Sequence, residues 1–183
     1  RSDRDWSSDV CSSDLAEGNQ GHTYGLSFWL PFQGTATYAY DAYTFRSFYA
    51  ACFGMGGLTP QNEQAQKQAY SECRRIAPRL LGDYYPLTPY SLEADCWIAW
   101  QFNMPEQGDG VVQAFRRPAC AESDKSFLLR GLDPAAKYEV TDLDRPGQLR
   151  MSGRELMGKG LKLSLAASPG SALILYSRAG GGQ

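Results

Sequence analysis

Apolar positions change their rhythm near residue 83. From Ala16 to Gly82 they come as short blocks separated by helical stripes, and from Asp83 onward as strand-length runs between tight turns. Ala16–Trp29 opens polar and turns apolar, with His22, Tyr24 and Gly25 fitting the last turns of a helix and Ser27 its exit. Phe28–Phe32 then reads as a short buried strand, stopped by Pro31 and Gly34. Asp41 is placed to cap a helix through Tyr49, with Ala42, Phe45 and Tyr49 along one side. Ala50–Phe53 is a second short apolar run, ended by Gly54-Met55-Gly56-Gly57. Pro60 suits the first position of a further helix, where its missing N–H costs nothing, and Ala65, Ala69, Cys73, Ile76, Ala77 and Leu80 form its stripe. Pro78 removes a backbone donor and should kink or end that helix, and Gly82 suits the cap beyond it. The first half thus predicts helix–strand–helix–strand–helix. Two short buried strands, each followed by a helix, are how a parallel α/β structure ends, and two such units cannot close a core alone.

The second half predicts an antiparallel β-sandwich. Tyr84–Tyr90, rich in Pro and Tyr, reads as a linker. Cys96–Asn103 and Val111–Arg117 flank a turn-rich connection and read as a hairpin. Ser126–Arg130, Lys137–Leu143, Gln148–Ser152, Leu161–Leu165 and Ser171–Ser177 follow as strands, separated by Gly131-Leu132-Asp133-Pro134, Arg145-Pro146-Gly147 and Ser168-Pro169-Gly170. Ser152 and Glu155 have the spacing of a capping box for a single helical turn. Trp97 and Trp100 fall on opposite faces of their strand, so one should pack in the sandwich core and the other against the preceding helix, with a sugar-stacking surface as the alternative.

Composition narrows the function classes only a little. The 183 residues suffice for one ordinary domain, or one small domain with part of another. A formal charge of −2 with scattered Lys and Arg argues against a nucleic-acid partner, which needs clustered cations. No apolar run reaches membrane-spanning length. With one histidine and no CxxC pair among five cysteines, neither a metal nor another cofactor is expected, and the cysteines read as buried free thiols. Arg1–Leu15 (RSDRDWSSDVCSSDL) is aperiodic and Ser/Asp-rich, and Trp6–Leu15 can be back-translated into a common sequencing-library adapter. It reads as an adapter-like artefact outside the fold, which sets Cys11 aside and implies that native sequence upstream of Ala16 is missing.

The remaining chain resembles a known family. His22–Thr35 (HTYGLSFWLPFQGT), Asp41–Gly57 (DAYTFRSFYAACFGMGG), Leu81–Arg117 (LGDYYPLTPYSLEADCWIAWQFNMPEQGDGVVQAFRR) and Leu129–Asp144 (LRGLDPAAKYEVTDLD) are together similar to the C-terminal part of α-galactosidase-like enzymes of glycoside hydrolase family 36. The resemblance implies the last two βα units of a truncated (β/α)8 barrel over residues 16–82. An antiparallel C-terminal β-sandwich would follow over 83–183, ordered to about residue 178. Phe28–Phe32 and Ala50–Phe53 would be the seventh and eighth barrel strands, and Thr59–Leu81 the final barrel helix. It further implies a parent that hydrolyses terminal α-galactosides with retention, through two carboxylates about 5–5.5 Å apart. Both are aspartates on earlier strands, upstream of the matching stretch, so no catalytic residue is carried over. Arg1-Ser2-Asp3, although reminiscent of an acid/base motif, belongs to the adapter-like segment. The chain alone should then be inactive, its parent's partner a glycoside or oligosaccharide, and a homo-oligomer is compatible with it. A non-catalytic carbohydrate-binding or structural sandwich, and a glycosidase of the same clan with another sugar preference, stay open.

Substrate contacts in a barrel come from the C-terminal ends of its strands. On the predicted strands, Phe32, Gln33 and Met55 are the candidate pocket residues. His22 lies too early and reads as a helix histidine, Arg46 as a wall ion pair or helix cap, and Asp133, Asp142 and Asp144 as turn-capping carboxylates whose spacing fits no calcium loop.

Overall fold

The computed structural model describes residues 12–57 and 59–180; residues 1–11 of the adapter-like segment lie outside the described residues. The order is α1 (Ser12–Leu26), β1 (Ala36–Thr37), α2 (Ala42–Ser47), β2 (Gly54–Met55) and α3 (Glu63–Ile76) with a 3-10 turn at Ala77–Arg79. Then come β3 (Asp83–Pro86), β4 (Trp97–Met104), β5 (Asp109–Arg116), β6 (Asp124–Phe127), β7 (Lys137–Asp142), β8 (Leu149–Ser152), α4 (Gly153–Gly158), β9 (Leu161–Ser164) and β10 (Gly170–Arg178).

The centre is a six-stranded antiparallel sheet in the order β3-β4-β5-β10-β7-β8, and it is buried on both faces. One face carries Trp97, Ala99, Val112, Ala114 and Ile174, packed against Phe127, Leu161 and Leu163 of the two-stranded β6–β9 sheet and Leu156 of α4. The other carries Ile98, Trp100, Phe102, Val111, Phe115 and Leu173 under Tyr43, Phe45 and Tyr49 of the α2 region and Ala69 and Ile76 of α3. Strict alternation along β4 and β5 feeds two cores at once, which is why nearly every residue of both strands is buried. Trp97 and Trp100 do lie on opposite faces, and at 4% and 0% exposure neither offers a sugar-stacking surface.

Local chemistry sets the element ends. The Asp41 side chain accepts from the Thr44 N–H at 2.8 Å to start α2. Ser152 and Glu155 form the expected capping box of α4. With Pro78 unable to donate, α3 stops at Ile76 and tightens into the 3-10 turn. The Pro/Tyr-rich junction is more than a linker: Tyr84–Pro86 pair with Trp100–Phe102 as part of β3, the sheet edge, where Pro86 is tolerated. Beyond it, the connection to β4 is held by Arg117, which is fully buried. Its Nη1 donates to the carbonyls of Ser91 (2.9 Å) and Glu93 (2.7 Å), and its Nε to Gln20 Oε1 of α1 (3.1 Å).

Two strand assignments move. Phe28–Phe32 is no strand: Phe28, Trp29 and Leu30 donate back to Gly25 and Leu26, prolonging α1 by a turn that Pro31 ends. Strand pairing begins later, at Ala36–Thr37. Likewise Ala50–Phe53 gives way to Gly54–Met55 as the second strand. In Phe28–Phe32 the apolar side chains that suggested burial are exposed instead, Trp29 at 83% and Phe32 at 69%.

An ion network centred on buried Arg46 ties the helical layer to the turn after β7. Arg46, 2% exposed at the end of α2, makes paired hydrogen bonds to Glu72 of α3 (2.9 and 2.8 Å) and to Asp144 after β7 (2.6 Å each). Tyr49 donates to the same Glu72 at 3.1 Å and to the Ala69 carbonyl at 2.8 Å. Burial opposes the Arg46 charge, but the hydrogen bonds it donates to Asp144 and Glu72 outweigh it and hold the guanidinium above its ordinary range.

Two substitutions test this architecture by urea unfolding. Arg46→Ala is expected to cost about 3–5 kcal/mol, because Glu72 is left buried without its cation. Gly110→Ala is expected to cost about 1–3 kcal/mol, because an added Cβ would stand 2.1 Å from the Tyr176 hydroxyl oxygen and 2.5 Å from the Phe102 carbonyl oxygen.

Candidate functional site

Among the described residues, β1 and β2 form the one parallel pair, each strand followed by a helix. Alternate backbone bonds build the ladder: Cys52 N–H to the Gln33 carbonyl (3.0 Å), Gly54 N–H to Thr35 (3.2 Å) and Gly56 N–H to Thr37 (3.0 Å). Thr37 and Met55 point to the helical side and are buried. Ala36 and Tyr38 occupy the opposite face with Gly54 and Gly56, and there Ala36 and Tyr38 are exposed. Each strand is short because glycines and turns bound it, yet its direction is fixed, and both C-terminal ends lie together.

At those ends stand Tyr38, Tyr40, Gly56 and Gly57. The Tyr40 hydroxyl donates to the carbonyls of Gly56 and of Gly57, the latter at 2.8 Å. Asn62 Nδ2 donates to the Gly57 carbonyl (2.8 Å), while its Oδ1 accepts from the Thr59 N–H (2.7 Å). Gly57 takes a left-handed φ of 71°, which permits this tight turn. The Tyr38 ring lies against Gly56 so closely that a Cβ there would meet its Cε1 at 2.5 Å.

Of the three residues expected to line a pocket, Phe32 and Gln33 sit in the exposed approach to β1. Gln33 donates to the Ser27 hydroxyl at 3.2 Å, and with Ser27, Pro31, Ala50 and Ala51 it borders a recess of about 30 Å³. Met55 is 8% exposed, its N–H donating to the Tyr70 hydroxyl at 3.2 Å. The structure therefore gathers the three into no common pocket: Phe32 is exposed, Gln33 borders the small recess, and Met55 lies beneath the turn on the helical side. Tyr38 and Tyr40 were not singled out in the sequence. Their spacing of two, just ahead of a capped helix, is the pattern of a strand end and was the available signal.

Of the other weighed residues, His22 lies exposed on α1, and Arg46 and the three aspartates have structural partners. Arg46 is engaged by its two carboxylates. Asp133 accepts from the Ala135 N–H (2.9 Å) and Asp142 from the Asp144 N–H (3.0 Å), as turn caps. Among the described residues no group of three or more His, Cys, Asp or Glu side chains could hold a metal ion, and no helix is long and apolar enough to cross a membrane. An apolar strip remains uncovered along Leu26, Phe28, Trp29, Leu30 and Phe32.

Comparison with known proteins fits this geometry. Residues 97–175 match the model of the glycosyl hydrolase family 36 C-terminal domain. The fold is similar to that of the galactosidase domain of the α-galactosidase–sucrose kinase AgaSK, with TM-score 0.72 at 21% identity, covering 89% of this chain and 24% of that one. It is also similar to the family 36 α-galactosidase AgaB of Geobacillus stearothermophilus, with TM-score 0.70 at 22% identity, covering 90% and 24%. An α-galactosidase from Lactobacillus brevis aligns with TM-score 0.55 at 17% identity, covering 75% and 19%. Comparison with curated proteins returned no match. The chain thus spans about a quarter of the length of the first two of these structures. Residues 97–175 are thus similar to the glycosyl hydrolase family 36 C-terminal domain, and the chain shares the fold of about a quarter of each of those two enzymes.

Proposed function

We propose that this chain is the C-terminal portion of a retaining glycosidase acting on terminal α-galactosides. Residues 16–82 would supply the last two βα units of a (β/α)8 barrel, and residues 83–183 the C-terminal sandwich packed against its helices. The observation that carries this reading is the parallel β1–α2–β2–α3 unit packed directly onto the matched sheet. A free-standing binding module has no use for such a unit. The paired aspartates that attack the anomeric carbon and protonate the leaving oxygen would come from upstream strands. This chain then contributes pocket wall. That wall would be the C-terminal ends of β1 and β2, with Met55 supporting the turn after β2 from beneath; Phe32 and Gln33, which precede β1, stand at the other strand end.

The 183-residue chain alone is expected to release no nitrophenol from p-nitrophenyl α-galactoside above the uncatalysed rate. Turnover would place the catalytic pair within these residues and overturn the assignment. The exposed strip around Trp29 and Phe32 is the surface that missing barrel elements would cover. In their absence the chain is expected to self-associate in sedimentation experiments, and Trp29→Ser with Phe32→Ser should shift it toward monomer. A monomeric parent chain would argue that the strip is not a contact surface.

A further inference from the structure

The β1–β2 pair has two faces with different fates. Thr37 and Met55 turn into the helical layer, whereas Ala36, Tyr38, Gly54 and Gly56 share the face away from the helices. Along that face the side chains are small near the strand starts, with Gly54 so close to Ala36 that an added Cβ would lie 3.1 Å from the Ala36 Cβ. At the C-terminal end the profile reverses. Tyr38 projects a full ring that is 74% exposed, yet one side of it is held against the Gly56 backbone. The turn carrying Gly56 is itself fixed through Tyr40 and Asn62, whose hydrogen bonds converge on the carbonyls of Gly56 and Gly57. An exposed tyrosine ordinarily samples several rotamers. This one has its Cδ1–Cε1–Cζ edge against Gly56 and the rest of its ring presented, at the strand end where parallel α/β folds gather their ligand contacts.

We infer that the Tyr38 ring, braced by Gly56, is a stacking platform for a pyranose ring of the saccharide substrate. The inference rests on the glycosidase reading above. A braced aromatic face suits the apolar C–H face of a sugar, because the ring need not be ordered on binding. Glycine at 56 is then a requirement of the platform: a side chain there would push the ring off its seat. Recognition would use the ring face and leave the hydroxyl free.

The experiment titrates the 183-residue chain with methyl α-D-galactopyranoside while following the aromatic resonances of Tyr38. Tyr38→Ala, Tyr38→Phe and Gly56→Ala are compared, with circular dichroism to confirm that each variant is folded. Saturable movement of the Tyr38 ring is expected. The phenylalanine variant should bind as the parent does, and the alanine variant roughly three- to tenfold more weakly. Gly56→Ala should weaken binding although it adds no charge and removes no contact. A Tyr38 ring unmoved at saturating sugar, or an alanine variant that binds as the parent does, overturns the platform. Hydrolysis of p-nitrophenyl α-galactoside by the natural full-length product separates the two ideas. Turnover with a KM unchanged by Tyr38→Ala removes the platform and leaves the glycosidase. Ring movement without turnover by the full-length product leaves the platform and removes the glycosidase.

Discussion

A buried guanidinium must be met by counter-charges that pair with it, and Arg46 imposes that condition on the helical layer. Its two carboxylates come from α3 and from the turn after β7, so the helix, the neighbouring helix and the central sheet must all be in place before the charge is satisfied. Hydrophobic contact between the layers is non-directional and would tolerate sliding. The fork of Arg46 does not, because paired hydrogen bonds fix both distance and orientation. The position of the β1–β2 pair over the sheet follows from this anchoring, since α2 connects the two strands.

The arrangement also explains why the central sheet reads ambiguously. A sandwich strand is expected to alternate between a core face and a wet face, whereas β4 and β5 are covered twice, by the small β6–β9 sheet and by the helices. Polar residues within these strands are consequently enclosed and paired. Gln113 accepts from Trp100 Nε1 and donates to the Tyr49 carbonyl, while Gln101 donates to Tyr176 and to the Arg130 carbonyl. Such pairing satisfies groups that would otherwise be costly to bury.

Sequence was most informative where local chemistry decides the structure. Asp41, the Ser152–Glu155 box, Pro78 and the turns between the later strands act within a few residues of themselves, and each appears where its side chain demands. It was least informative at Phe28–Phe32 and Ala50–Phe53. There apolar content was taken for burial in a strand, but a prolonged helix end consumed the first segment, and the pairing partner of each strand lies some eighteen residues away. The candidate site inherited that offset, because naming a strand end requires the strand to be placed first. Tyr38 became visible only when β1 was seen to finish at Thr37. Arg46 could be assigned to an ion pair from its aromatic surroundings, but its partner Asp144 is separated from it by 98 positions and had been legible only as a turn residue.

Arg117 gives the junction between the two halves a mechanical character that its composition conceals. A stretch of Pro, Tyr, Ser and Glu between two folded parts would ordinarily be taken for a hinge, where the parts swing and proteases enter. Here a buried side chain of β5's end grips the carbonyls of Ser91 and Glu93 from inside and reaches on to α1. The connection is therefore a splice: displacement of α1 is passed through one buried side chain to the segment before β4 and to the end of β5.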